Sequence, residues 1–481
     1  MLSKSIKLNA ILSSIKMVLS TLISLVTFPY ISRVLQVEAV GQHNFAVSVI
    51  SYFVMLVELG VATYAVREGA RLREDRIRLS RFVSEIFTLQ TIAAAISMTA
   101  LVCAILFVPK LQQYWLLLLI LGLQIPLTAF GRAWLYNIEE EFGLATLTQF
   151  AFQLVSVVLM FVFVRSPEDL YKYTIAYLLS NAGCNVIYGL HSRKYVDIKP
   201  IPLTSLKKHI KPIMVIFSTN IAMAIYVNSD TTILGWLVND EAVGLYSISV
   251  KVYTIVKQVV SAIITVAIPR LTLYVETDRY KPFFNKVLNA LTLILLPAVT
   301  GLFFLSENVV EIISGPEYLD ATMSMRILSL ALAASMFACL YALGCLIPHR
   351  QEKLFLIATV VSSAANILLN FLLIPLFHQN AAAFTTMLAE LIVWGMCYIY
   401  SRKHVQLRGG GKNLLTTVAG CVVIVAVCLG VQSLGFGIYL ETALCVALAA
   451  VGYVVVQLLF KNELFMQVAG AALRKLHGSK G

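Results

Sequence analysis

The chain has 481 residues, 59% hydrophobic and 13% charged, with a mean hydropathy of +0.84 and a net charge of +12. A soluble globular chain carries about 25% charged residues, so an ordinary soluble domain is excluded. The apolar residues come in blocks of about 20, the length that crosses ~30 Å of hydrocarbon as a helix. They do not alternate with polar ones as in a transmembrane β-barrel.

Fourteen helical spans are predicted, at 9–29, 41–66, 83–108, 114–137, 143–164, 170–190, 212–236, 243–268, 287–305, 325–347, 354–376, 381–400, 414–434 and 441–460. The first reads as a span and not a cleavable signal, because its apolar run continues to about Val26 without a small-residue cleavage site. Lys and Arg gather on alternate connections. They are dense at 67–81, 193–211, 270–286, 350–353 and 402–412, while the other connections hold little beyond Arg33, Lys110, Arg165, Lys172 and Arg326. The asymmetry predicts both termini in the cytoplasm. It also accounts for the positive charge through topology and lipid headgroups, with no nucleic acid required.

The tetrapeptide Glu-Ala-Val-Gly occurs at 38–41 and again at 241–244, an offset of 203 residues. Each copy opens a helix-length apolar run, and the same offset carries Arg67 onto Arg270. Two related halves of the same orientation are therefore expected, as in transporters built around a central site. The expected organisation is an N-lobe at 1–191, a cytoplasmic linker at 192–211, a C-lobe at 212–402, and two extra helices with a tail at 403–481. The last two spans have almost no polar residues and are expected on the outside.

Polar residues inside the spans follow helical faces. In the first span Asn9, Ser13, Lys16, Ser20, Ser24 and Thr27 share one face, and in the eighth Ser247, Lys251, Thr254, Gln258, Ser261 and Thr265 do. The Ser and Thr residues, and the Asn366–Asn370 pair, are expected to act mainly as hydrogen-bonding links within and between helices. The charges demand more. An ionised residue at the bilayer centre costs at least ~2.5–3.5 kcal/mol and usually serves function. Lys251, Lys257, Glu58 and Glu390 are therefore expected to line an aqueous cavity. Lys16 and Arg132 could snorkel to the surface or join the site. Asp230 could bind a cation or pair with a lysine. Lys251 and Lys257 are about 120° apart around the helix at ~100° per residue, so one can face the cavity while the other pairs with Asp230 or Glu390. Glu390, with no base on its own helix, is expected to be the unpaired acid and the best proton carrier.

Other chemistries lack their residues. Gly409-Gly410-Gly411-Lys412-Asn413 lacks the upstream glycine and the Ser/Thr of a P-loop. The eight cysteines lie in apolar runs without CxxC or a His cluster, so neither a metal nor a disulfide framework is expected. No cofactor is expected, and transport would be driven by ion gradients, membrane potential or substrate gradient.

The segments TFPYISRVLQVEAVGQHNFAVSVISYFVMLVELGVATYAVREGAR (27–71), NSDTTILGWLVNDEAVGLYSISVKVY (228–253), LIPHRQEKLFLIATVVSSAANILLNFLLIPLF (346–377) and AAAFTTMLAELIVW (381–394) resemble the Wzx-type flippases. These are polysaccharide transporters of the multidrug/oligosaccharidyl-lipid/polysaccharide exporter superfamily. The resemblance implies an all-α, MATE-like fold of two six-helix lobes around a central cavity, alternating access, and a bacterial inner-membrane location. It implies an undecaprenyl-pyrophosphate-linked oligosaccharide as cargo, with membrane lipids, H⁺ or Na⁺ and other polysaccharide-assembly proteins as partners. In those terms Lys16, Lys251, Lys257 and Arg132 would bind substrate, and Glu58, Asp230 and Glu390 would couple ions or hold the lysines. The alternatives are a lipid II flippase or multidrug exporter of the same superfamily, and a membrane enzyme such as a polymerase. Lysines in the lumen argue against cationic drugs, and the lack of a large external loop argues against an enzyme.

Overall fold

The structure, a computed structural model, describes residues 6–405 and 410–467, with the backbone alone at 6–19, 218–220 and 222–224. The described residues form helices and turns and no strand. Ten helical segments among them are long and apolar enough to cross a membrane. All fourteen expected spans fall on helix: two of the ten segments hold two spans each, and 170–190 and 212–236 lie on helices outside the ten. The chain forms two compact units, Met1–Gly244 and Leu245–Gly481.

The first unit contains α1 (Ile6–Glu58), α2 (Val61–Gly69), α3 (Arg76–Phe107), α4 (Pro109–Gln112), α5 (Trp115–Gly122), α6 (Gln124–Gly131), α7 (Ala133–Ile138), α8 (Phe142–Phe163), α9 (Leu170–Ala182), α10 (Cys184–His191) and α11 (Lys207–Leu237). A straight helix of 53 residues would be about 80 Å long at ~1.5 Å per residue, far beyond ~30 Å of hydrocarbon. α1 breaks at Gln36, whose φ of 64° and ψ of 177° leave the helical region. The contacts on either side show a reversal. Before the break Ser20 bonds Gln153 and Tyr30 bonds the Val164 carbonyl. After it His43 meets Thr174. α8 and α9 are antiparallel arms turned at Pro167–Asp169, with Ser156 donating to the Ala176 carbonyl. The two halves of α1 therefore run along opposite arms.

Local chemistry sets the other ends. Asp75 caps α3 by accepting from the amides of Ile77 and Arg78. α1 ends at Glu58, and the chain turns through Leu59 (φ 45°) and Gly60 (φ 71°) before α2. Glu58 is thus an exposed residue at a helix end, not one well inside a continuous helix over 41–66 as its sequence position suggested. The stretch expected as a linker is packed down. Val196 and Ile213 are buried with Tyr64, Phe82 and Trp134, and the amides of Asp197 and Lys199 donate to Ser80 and Ser84 of α3.

α12 (Asp240–Tyr274) begins in the first unit, with Asp240–Gly244, and continues into the second. The repeated glycines explain themselves at that start. A Cβ on Gly41 would overlap the Asp240 carbonyl, and a Cβ on Gly244 would overlap that of Val37. At the offset of 203, Gly41 maps onto Gly244 and Val37 onto Asp240, so the two contacts are one contact made twice. Small residues let helix backbones approach where lipid supplies no hydrophobic drive between helices.

The second unit adds α13 (Tyr280–Phe304), α14 (Ser306–Ser314), α15 (Thr322–Tyr341), α16 (Glu352–Ser401), α17 (Gly411–Gln432) and α18 (Ile438–Leu459). α16 breaks at His378, φ 50° and ψ −130°. Its two arms are joined by Ser362 on the Ala389 carbonyl and by Asn366, Asn370 and Thr385 in one buried network. The asparagines are thus the links between spans that their spacing predicted. α17 and α18 pair through Gln457 to the Thr416 carbonyl and lie against α13 through Tyr453 to the Leu293 carbonyl.

Candidate functional site

α12 carries both candidate lysines in the second unit. Lys257 lies one helical turn from Tyr253, so side chains four apart share a face. Its ammonium is 3.2 Å from the Tyr253 hydroxyl and 5.2 Å from that ring's centroid. From α16, Glu390 Oε1 reaches the same place. It accepts from Lys257 Nζ at 3.2 Å, Tyr253 at 3.0 Å and Ser335 of α15 at 2.9 Å. The Glu390 side chain is 10% exposed and that of Lys257 36%.

This pairing corrects one expectation. Glu390 is not the unpaired acid, because it is the counter-ion of Lys257, 133 residues away in sequence. No base on its own helix was needed, since packing brought one from α12. Three donors converge on one Glu390 oxygen, and a lysine with such a partner can stay in an apolar setting while offering its remaining protons. Lys251 is partly exposed and engaged in its own interactions.

The stripe partners of α12 are bland. Ser261 and Thr265 bond to carbonyls of their own helix. In the first unit Ser48 of the matching helix is used between helices, accepting from Thr232, which Tyr52 also meets at 3.1 Å. Asp230 is 7% exposed on α11 and engaged. Glu58 has no ion-pair partner among the described residues. The side chain of Lys16 lies outside the described residues.

Arg132 does not snorkel: it is 3% exposed. It stands between α6 and α7 with φ 48° and ψ 44°, a left-handed backbone that costs a non-glycine residue about 1–3 kcal/mol. Its guanidinium donates to the Gly189 carbonyl at 2.7 Å and to Ser192 Oγ at 2.9 Å. It also lies over the rings of Phe87 and Phe130, at 4.5 and 5.3 Å.

Two features were missed in the sequence. Tyr253 and Ser335 complete the Lys257–Glu390 group, and the four-residue spacing of Tyr253 from Lys257 was the available signal. Glu85 of α3, 1% exposed, holds Lys208 Nζ and His209 Nε2 at 2.8 Å, while His209 Nδ1 meets Tyr64 at 2.8 Å. It fastens the start of α11 to α3, and no local pattern announces it.

Residues 6–275 match the family described as "Polysaccharide biosynthesis protein". The chain belongs to that family. Proteins of similar sequence include one of Escherichia coli (strain K12) named "Putative O-antigen transporter", 21% identical over 417 residues, 83% of this chain and 97% of that one. A protein of the same name from Shigella dysenteriae is 20% identical over 374 residues, 76% and 93% of the two chains. Among solved structures, a lipid II flippase MurJ in an inward closed conformation aligns with TM-score 0.77 and 16% identity, over 94% of this chain and 99% of that one. An inward-facing MATE family multidrug resistance transporter of the MOP superfamily aligns with TM-score 0.57 and 12% identity, over 80% and 94%. The family member described here therefore has the MATE-like polytopic membrane fold, and the resemblance to Wzx-type flippases stands.

Proposed function

We propose that the chain is a flippase that moves an undecaprenyl-pyrophosphate-linked oligosaccharide from the inner to the outer leaflet of a bacterial inner membrane, by alternating access and with both termini in the cytoplasm. The observation that carries this reading is Lys257. It is a partly exposed ammonium on a membrane helix, held ready by Glu390 and Tyr253, in a member of a polysaccharide biosynthesis family. A pyrophosphate is an anion that such a lysine can receive without leaving its counter-ion. Lys251, six residues earlier, adds a second cation, and Lys16 is a third candidate. Lipid-linked oligosaccharide and membrane lipids are the partners, with H⁺ or Na⁺ as the coupling ion.

Glu390 serves in this reading to hold Lys257. The coupling carboxylate is then Glu58 or Asp230, because a ligand shifts a conformational equilibrium only by binding one state better. The test uses proteoliposomes loaded with a fluorescent lipid-linked oligosaccharide. The Lys251→Ala, Lys257→Ala, Glu390→Gln triple variant, which leaves no unpaired carboxylate, should insert normally and lose leaflet exchange. Wild-type exchange by that variant overturns the reading. An imposed pH or Na⁺ gradient should accelerate the wild type, and Glu58→Gln or Asp230→Asn should remove that response.

A further inference from the structure

Arg132 is a buried cation without an acid. Among the described residues no carboxylate lies within ion-pair distance of it, and its Nε, fully buried, has no hydrogen-bond partner. Two neutral oxygens and two ring faces hold the group in place but leave its charge unneutralised. A buried guanidinium in that state calls for an anion. The backbone at Arg132 is also held in a strained conformation, which the fold has kept.

The surroundings say what kind of anion. Arg132 lines a cavity of about 510 Å³ with Phe87, Phe130, Arg193 and Lys199. The acid at its wall, Asp197, is already met by Arg76 at 3.4 Å. Arg193 and Lys199 are exposed and belong to the basic connection at the end of the helices, where headgroups lie.

Phe87 and Phe130 have a second role. They also form one end of an apolar groove of about 580 Å³, lined by Thr91, Ala94, Ala95, Met98, Pro126 and Leu127. On α3 the residues from Phe87 to Met98 follow one helical face over about 16 Å at ~1.5 Å per residue. Ala94 and Ala95 leave the groove open where larger residues would fill it, and Thr91, Ala95, Pro126 and Phe130 are exposed on the surface of the first unit. A cationic pocket at the level of the basic connection thus opens through two shared rings into an apolar channel along the helices. The chemistry that fits both is an anionic head on a hydrocarbon tail.

We propose that this pocket and groove form a binding site for an anionic membrane phospholipid. Its phosphate is received by Arg132, Arg193 and Lys199, and one acyl chain lies along α3 and α6. The occupant is a resident lipid, because the groove is open on the surface of the unit. The proposal stands on the family's membrane fold and does not depend on what the protein transports.

The test is native mass spectrometry of the full chain in detergent, titrated with phosphatidylglycerol or phosphatidylcholine. The wild type should retain phosphatidylglycerol in preference to phosphatidylcholine. Arg193→Gln and Lys199→Gln, both on exposed side chains, should each cut that preference roughly fivefold, since a cation near a lipid surface contributes about 1 kcal/mol. Ala95→Trp should weaken retention of both lipids by filling the groove. Retention unchanged in the Arg193→Gln, Lys199→Gln double variant, or in Ala95→Trp, overturns the site. Displacement of bound phosphatidylglycerol by undecaprenyl pyrophosphate, lost in the same variants, would make the site one for a transported lipid and overturn the assignment to a resident one. Arg132→Gln is the more direct variant but risks the local fold, so the exposed cations and Ala95 carry the decision.

Discussion

Two cations among the described residues, Lys257 and Arg132, are held in different ways. In the second unit Lys257 has a carboxylate, Glu390, reinforced by Tyr253 and Ser335. In the first unit Arg132 has a carbonyl, a hydroxyl and two aromatic faces, and no acid among the described residues. The sequence repeat does not predict this difference. At the offset of 203, Lys257 and Glu390 correspond to Val54 and Ile187, and Arg132 to Ser335. What the halves share is steric: Gly41 against Asp240 and Gly244 against Val37. The repeated tetrapeptide makes the close helix contact twice, and neither cation has a charged counterpart at that offset. A self-contained ion pair can be held without a ligand, whereas an acid-free arginine is waiting for one.

The strongest test of that contrast removes one partner of the pair. Glu390→Leu should leave Lys257 uncompensated. A fully buried pair broken this way loses about 3–5 kcal/mol, and because Lys257 is about one-third exposed the expected loss is lower, about 2 kcal/mol after solvent screening. Adding Lys257→Met should restore much of the thermal stability in detergent. Failure of the double variant to recover would mean that the group is not a pair in energetic terms.

The shared contact is next. Gly41→Val and Gly244→Val each force a side chain against a carbonyl that cannot move aside, and overpacking of this kind costs about 1–3 kcal/mol. The two variants should lower the melting temperature by similar amounts, measured by fluorescence-detected unfolding. Unequal losses would show that the two contacts are not equivalent.

For the first unit, Arg132→Lys should be milder than Arg132→Gln. It keeps the charge and loses the planar group that stacks on Phe87 and Phe130. With phosphatidylglycerol present the wild type should gain more thermal stability than either variant.

The smallest effect concerns His404, which lies beyond the end of α16 with its ring 4.0 Å from that of His349. Burial lowers its pKa below 6.5, and the neighbouring His349, Lys403 and Lys281 push the same way. Below about pH 6.5 the unfolded chain then binds more protons than the folded one, so stability falls as the pH drops through that window. His404→Phe should flatten the pH dependence of unfolding without changing the melting temperature at pH 8.

Hydropathy and spacing were enough for the class of protein, the helix positions and the Asn366–Asn370 link, because each depends on residues close in sequence. An apolar run of ~20 residues has little choice but to be a helix in lipid, where every backbone group must bond within its own segment. The repeat was legible because two glycines and their neighbours stand at one fixed offset. Tertiary structure alone decided the rest. Glu390 could be read both as the unpaired acid and as a partner of one lysine, because its partner is 133 residues away, and Arg132 could be read as snorkelling or as joining the site, because its backbone turn at φ 48° leaves no trace in composition. Glu85 holds Lys208 and His209 across 123 and 124 residues for the same reason. The position of a charge along a helix is written in the sequence, but its counter-ion is chosen by which helix packs against that face, and in hydrocarbon that choice determines whether the charge is structural or still needs a ligand.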